Sequence, residues 1–290
     1  MELLEYMASN TLAFILLAGL LGLVIGSFLN VVIHRLPRMM ELDWRQQARE
    51  ILEPEVDHPA EPTYNLVLPH SHCPHCQAEI KAWQNIPVIS YAALRGRCHS
   101  CKARISPRYP LVELLTAALS MVVAWQFGFG WEAGAMLMLT WALITLSLID
   151  ADTQLLPDAI VLPMLWLGLI LNSFGLFTDL DTALAGAVFG YLSLWSVYWL
   201  FKLVTGKEGM GYGDFKLLAM IGAWGGWQLL PLTILLSSLV GAILGIIILK
   251  TRGDSNATPL PFGPYLAIAG WIALIWGETI TSQYLQFAGF

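Results

Sequence analysis

The chain has 290 residues, 57% of them hydrophobic and only 12% charged, with a mean hydropathy of +0.63. That balance excludes a soluble domain, in which about a quarter of the residues carry charge, and assigns the chain to a bilayer. The net charge of −6 does not suggest a nucleic-acid partner.

Crossing roughly 30 Å of hydrocarbon takes about 20 apolar residues. The first such run covers 11 to 33. It is too long for a removable signal peptide and has no small-residue cleavage site before His34 and Arg35, so residues 1–34 read as a retained transmembrane anchor. A polar, proline-bearing segment follows from 35 to 110, holding all four cysteines and ten of the fifteen lysines and arginines. The cysteines form two Cys-x-x-Cys knuckles, CPHC (Cys73, Cys76) and CHSC (Cys98, Cys101), with 21 residues between them. Each knuckle bends two thiolates toward one point, and two knuckles complete a closed tetrahedron of soft ligands. That spacing predicts a zinc-ribbon-like loop domain with one structural Zn2+ per chain. His70, His72, His75 and His99 crowd the knuckles; exposed loop histidines are the simpler reading, replacement of a thiolate the alternative.

Beyond the loop, apolar runs cover 111 to 127, 133 to 149, 159 to 177, 182 to 201, 230 to 249 and 265 to 285, with a shorter one at 215 to 228. Positive charge in short loops stays on the cytoplasmic side. If all eight runs cross, the 35–110 segment, Lys202, Lys207, Lys216, Lys250 and Arg252 fall on one face, and the opposite turns carry no positive charge. The expected fold is therefore an all-α polytopic membrane protein of about eight transmembrane helices, with both termini periplasmic and the loop cytoplasmic. Four glycine pairs at four-residue spacing (Gly22 and Gly26, Gly186 and Gly190, Gly222 and Gly226, Gly241 and Gly245) suit close helix packing in lipid.

Charged residues at membrane depth are costly and mark function. Asp150 ends the third run, with Asp152 and Asp158 close behind; Asp214 closes GMGYGD at 209 to 214; Glu113 lies just inside the second run. The topology sets Asp150 and Asp214 at cytoplasmic helix ends, where they can meet. Asp158 follows Pro157 and reads as a helix N-cap. Asp152 falls in an expected turn. Asp214 also fits a cap, but Gly209, Gly211 and Gly213 before it leave bare backbone that a peptide substrate can approach closely. Glu113 either binds a cation or meets Arg104 or Arg108. Two carboxylates together in a dry site share one proton, so that one acts as base toward water and the other as acid toward a carbonyl. That is aspartic-protease chemistry. The rival readings are a proton-coupled transporter using the same acids as a relay, and a membrane anchor whose zinc loop docks partners.

GSFLNVVIHRLPR (26 to 38), CPHC and CHSC, NIPVISY (85 to 91), RYPLVELLT (108 to 116), LIDADTQLLPD (148 to 158), GMGYGD (209 to 214) and PFGP (261 to 264) together resemble the type IV prepilin peptidases of Gram-negative bacteria over essentially the whole chain. The resemblance implies a GxGD-type aspartic protease architecture in the inner membrane, with a peptidase domain over 111–290. It implies removal of the basic leader of prepilins and pseudopilins on the cytoplasmic side, usually between Gly and Phe. It also implies N-methylation of the new terminus with S-adenosylmethionine. By motif the catalytic pair is Asp150 and Asp214, and the four cysteines hold zinc as scaffolding. The cofactor pocket is expected around the loop and its flanks, with Asn30, Arg108 and Glu113 as candidates.

Overall fold

The protein is described from a computed structural model covering residues 2–52, 63–252 and 261–288. It divides into two units, Met1–Phe129 and Gly130–Phe290. Part of the expected loop domain, 53–62, lies outside the described residues, as does the segment preceding Pro261.

The first unit opens with α1 (Glu2–Ser9) and α2 (Thr11–Leu52). Helix α2 continues well past the end of the apolar run at residue 33, through Pro37. Its polar half, ELDWRQQAREIL, is rich in good helix formers, so the helix persists where hydropathy does not. A short helix α3 (Ile89–Ala93) precedes α4 (Arg108–Phe127). Helices α2 and α4 pack along Gly22 and Gly26, where a Cβ would approach Ala117 Cα and Glu113 Cα to 2.7 Å. The missing side chains let the two backbones close on each other, and α4 therefore groups with the N-terminal helix.

The second unit contains α5 (Trp131–Thr153), α6 (Asp158–Ser173), α7 (Leu180–Thr205), α8 (Tyr212–Gly225), α9 (Leu230–Arg252) and α10 (Gly263–Ala288). Helix α8 is its centre: Phe215, Leu217, Leu218, Met220, Ile221 and Trp224 are fully buried, against α6, α7 and α10. Gly190 admits the α8 backbone, since a Cβ there would lie 2.7 Å from the Leu218 carbonyl. Asn172, buried at the end of α6, closes the far end of α8. Its amide donates to the Ala223 and Trp224 carbonyls at 2.9 Å, and its Oδ1 accepts the Phe177 and Thr178 N–H groups at 3.0 and 3.2 Å. One side chain thus satisfies two orphan carbonyls of a helix end and fixes the following turn. Trp224 and Trp271 anchor α8 to α6 and α10 to α5 through indole N–H bonds to the Met164 carbonyl (2.8 Å) and Thr140 Oγ1 (2.9 Å).

Among the described residues, five helices are long and apolar enough to cross a membrane: Thr11–Leu52, Arg108–Phe127, Trp131–Thr153, Leu180–Thr205 and Trp227–Leu244. The protein is all-helical and multi-pass. Helices α6 and α8, at 16 and 14 residues, are shorter than a straight span requires. Helix α8 buries its side chains in protein, so its sequence is apolar all round without needing the length that lipid demands.

Candidate functional site

Asp150 occupies the last turn of α5, which ends in a left-handed Gln154 whose N–H returns to the Asp150 carbonyl at 2.8 Å. Asp214 sits in the first turn of α8, immediately after the glycine turn. Both carboxylates are buried, at 5% and 6% exposure, and lie within electrostatic reach of each other. Each is held by one main-chain N–H: Gly263 donates to Asp150 Oδ2 at 3.0 Å, and Gly211 to Asp214 Oδ2 at 3.2 Å. The Asp214 bond is half of a capping arrangement, so Asp214 steadies its own helix as well as facing Asp150. The remaining oxygen capacity of the pair is available to a water and a carbonyl, as shared-proton chemistry requires.

Gly263 belongs to the PFGP segment, which carried no assigned role in the sequence. A Cβ there would stand 2.6 Å from Asp150 Oδ2, so the residue at this place has to be glycine for α10 to begin against the acid. The three glycines before Asp214 differ from one another. Gly209 abuts the Phe201 ring and Gly213 abuts Leu156, with a Cβ at 2.9 and 2.8 Å respectively, whereas a Cβ on Gly211 would meet nothing nearer than 3.9 Å. The turn itself is tied down by Lys202, whose Nζ reaches Glu208 at 2.8 Å and the Tyr198 hydroxyl at 3.1 Å. That contact holds the Glu208 carboxyl below its ordinary range. Phe215 meets the rings of Tyr198 and Tyr212 edge to face, and the two tyrosines lie tilted against each other.

Two other acids differ from the sequence reading. Asp158 is the first residue of α6 after an N-cap at Pro157, and its carboxylate takes both oxygens to Lys216 Nζ at 2.8 and 2.7 Å. A lysine 58 residues away wins over the local cap because it brings a full charge. Asp152 lies within α5, not in a turn, since the helix runs on through Thr153.

The cysteines converge. The sulfurs of Cys73, Cys76, Cys98 and Cys101 all lie within 4.8 Å of one another, and Cys73 Sγ to Cys101 Sγ is 3.8 Å. Two ligands of a tetrahedral zinc, with bonds of about 2.3 Å, stand about 3.8 Å apart, so the cluster fits that ion. The two knuckles repeat each other at a 25-residue offset. Cys73 N–H bonds to Ala78 O and Gln77 N–H to Cys73 O at 2.9 Å each; Cys98 N–H bonds to Ala103 O at 2.8 Å and Lys102 N–H to Cys98 O at 3.1 Å. Gln77 and Lys102 take the same left-handed φ, 59° and 60°. Backbone N–H groups of Cys101 and Ser100 aimed at the Cys98 sulfur lower its thiol to about 6, whereas burial and the neighbouring sulfurs push the Cys101 thiol up to about 11.

Two of the remaining three candidates meet in the first unit, around a cavity of about 550 Å3. Asn30 and Glu113 line it, and Tyr109 stands where Arg108 was expected. Asn30 donates to the Gly26 and Tyr109 carbonyls at 3.2 and 3.1 Å, joining α2 to α4. Glu113 accepts the Val88 N–H at 2.8 Å and a bond from Ser27. The volume suits a drug-sized cofactor.

Family models match a segment of each unit. Residues 20–127 match the Bacterial Peptidase A24 N-terminal domain, and residues 137–246 match the Type IV leader peptidase family. The chain is 71% identical to the prepilin leader peptidase/N-methyltransferase of Pseudomonas aeruginosa, with 100% of each chain covered. It is 69% identical to the protein of the same name from Stutzerimonas stutzeri, with 98% of each covered, and 58% identical to that from Aeromonas hydrophila, with 93% of each covered. No solved structure matches it. With full-length identity of this order joining two matched units, the chain belongs to the type IV leader peptidase family.

Proposed function

We propose that the protein is a bifunctional prepilin leader peptidase and N-methyltransferase, in which Asp150 and Asp214 form the peptidase dyad. The observation that carries the dyad is the burial of two carboxylates at adjoining helix ends, each steadied by a single main-chain N–H. One carboxylate, ionised, takes a proton from water; the other, protonated, gives its proton to the scissile carbonyl oxygen as the water adds. The roles then reverse to release the amine. Gly211, beside open space, lets the extended substrate backbone lie against the turn.

The substrates are prepilins and pseudopilins, cut on the cytoplasmic side of the bacterial inner membrane between Gly and Phe. The basic distribution along the chain supports eight spans with the 35–110 loop and the dyad cytoplasmic and both termini periplasmic. Functionally the chain divides into an anchoring helix (1–34), a zinc-binding loop domain (35–110) and a GxGD peptidase domain (111–290). Cys73, Cys76, Cys98 and Cys101 hold a structural zinc. S-adenosylmethionine supplies an electrophilic methyl group for the new N-terminal amine, and the first unit's cavity, with Asn30 and Glu113 on its wall, is its site.

The test is leader cleavage of a co-expressed prepilin in membranes carrying wild type, Asp150→Asn, Asp214→Asn or Asp152→Asn at matched abundance. Cleavage is expected to vanish in the first two variants and to persist in the third. Cleavage surviving either of the first two changes refutes the dyad.

A further inference from the structure

Among the described residues, Glu113 is the one carboxylate on the wall of the first unit's cavity. It is 7% exposed, and its described partners are neutral: the Val88 N–H and the Ser27 side chain. Among the described residues no cation pairs with it, a costly condition for a buried acid. The nearby guanidinium groups are engaged elsewhere. Arg35 donates to the Asn65 and Pro69 carbonyls at 3.0 and 2.6 Å, and Arg38 lies over the Tyr64 ring at 5.2 Å.

The backbone that grips Glu113 is strained. Val88 holds φ 59° and ψ −45°, a conformation a β-branched residue adopts only when its surroundings force it. Strain of this kind collects at binding and catalytic positions. Here its effect is to aim the Val88 N–H at Glu113, and Ser27 approaches from the other side on α2. Ser27, Asn30, Val31, His34, Arg35 and Arg38 form one face of α2 along the cavity, so the space runs roughly 16 Å from Ser27 to Arg38 at the helical rise per residue. The buried acid sits at the Ser27 end of a slot long enough for an extended ligand.

We infer that Glu113 is the receptor for an alkylammonium group in this cavity, an assignment that rests on the methyl-transfer reading above. Two ligands of that reaction carry the group: the methionyl end of the methyl donor and the newly exposed N-terminus of the processed substrate, which is largely protonated at neutral pH. The carboxylate accepts the ammonium hydrogens while Val88 and Ser27 hold it in place.

The test uses the full chain in detergent and begins with calorimetric titration of S-adenosylhomocysteine, which keeps the methionyl ammonium and has no methyl to transfer. If Glu113 holds that ammonium, Glu113→Gln weakens binding about 10- to 100-fold, the range for a hydrogen bond to a charged group. If it holds the substrate terminus, titration is unchanged and the KM for leaderless substrate rises by a similar factor at saturating donor, with kcat little altered. Binding and KM both unchanged in Glu113→Gln overturn the inference. Glu113→Asp separates charge from structure. Gln preserves an acceptor for the Val88 N–H and Asp preserves the charge, so Asp outperforming Gln supports the receptor, and Gln outperforming Asp overturns it. Leader cleavage at Asp150 and Asp214 controls for folding in every variant. A wild-type chain that cleaves but binds no donor removes the methyl-transfer reading itself, whereas donor and substrate binding indifferent to Glu113 removes only this assignment.

Discussion

Replacing Gly263 by alanine adds one methyl group directly against Asp150 of the proposed dyad. The new Cβ would lie 2.6 Å from Asp150 Oδ2 and 3.1 Å from its Cγ, against 3.4 Å or more for ordinary contact. The carboxylate or the start of α10 must therefore move by roughly 0.8 Å, more than a close-packed interior absorbs without loss. A misplacement of about 1 Å at reacting groups costs on the order of 100-fold in rate, and that is the expected fall in kcat for leader cleavage. KM should change little, since Gly263 touches the acid and not the open face of Gly211. The control is Gly211→Ala, in the more recognisable motif, where the methyl would meet nothing within 3.9 Å and the backbone φ of −82° suits any residue. The acid pair is not crowded there, so kcat should stay within a few-fold of wild type, and any loss from crowding the substrate backbone should fall on KM. Both rates can be read by gel shift of a purified prepilin in detergent micelles. Gly263→Ala cleaving with the wild-type kcat, or Gly211→Ala losing as much kcat as Gly263→Ala, would refute the reasoning.

Zinc measured on freshly reduced protein should stand near one per chain and fall toward zero in Cys73→Ser, with methyl transfer suffering more than leader cleavage; undiminished zinc would exclude Cys73 as a ligand. Asn172→Ala leaves several buried main-chain groups unpaired at the end of α8 and should cost about 3 kcal/mol or more, seen as a lower midpoint in thermal or detergent denaturation. The Lys216 to Asp158 pair, with side chains 31% and 52% exposed, should show a coupling below about 1 kcal/mol in a double-mutant cycle, weakening further with salt.

Much of the site can be read from spacing. Cys73, Cys76, Cys98 and Cys101 announce their convergence because a knuckle is a local structure whose geometry is written in its own few residues. Asp150 and Asp214 stand out because an acid at the border of an apolar run has few other uses. The extent of α2 is hidden from hydropathy, since its second half is helical by propensity and polar by composition. The shortness of α8 becomes intelligible only once its neighbours are known to cover every side. Asp158 imitates a cap in sequence, and only the fold reveals Lys216 beside it. Val88 carries no mark of its unusual backbone, which tertiary contacts impose.

Least visible of all are the holders of the two aspartates, because they are peptide amides. An amide proton belongs to every residue except proline, so a scan that converts each position to alanine would find both acids and pass over what aims them. It would report Gly263 as a matter of bulk and Gly211 as a matter of substrate fit, though each supplies a donor to the pair. Only exchanges that edit the main chain itself, such as proline at these two places or an ester in place of the amide, can remove those donors. The donors themselves thus survive most single-codon change, even where, as at Gly263, an added side chain would displace the acid they hold.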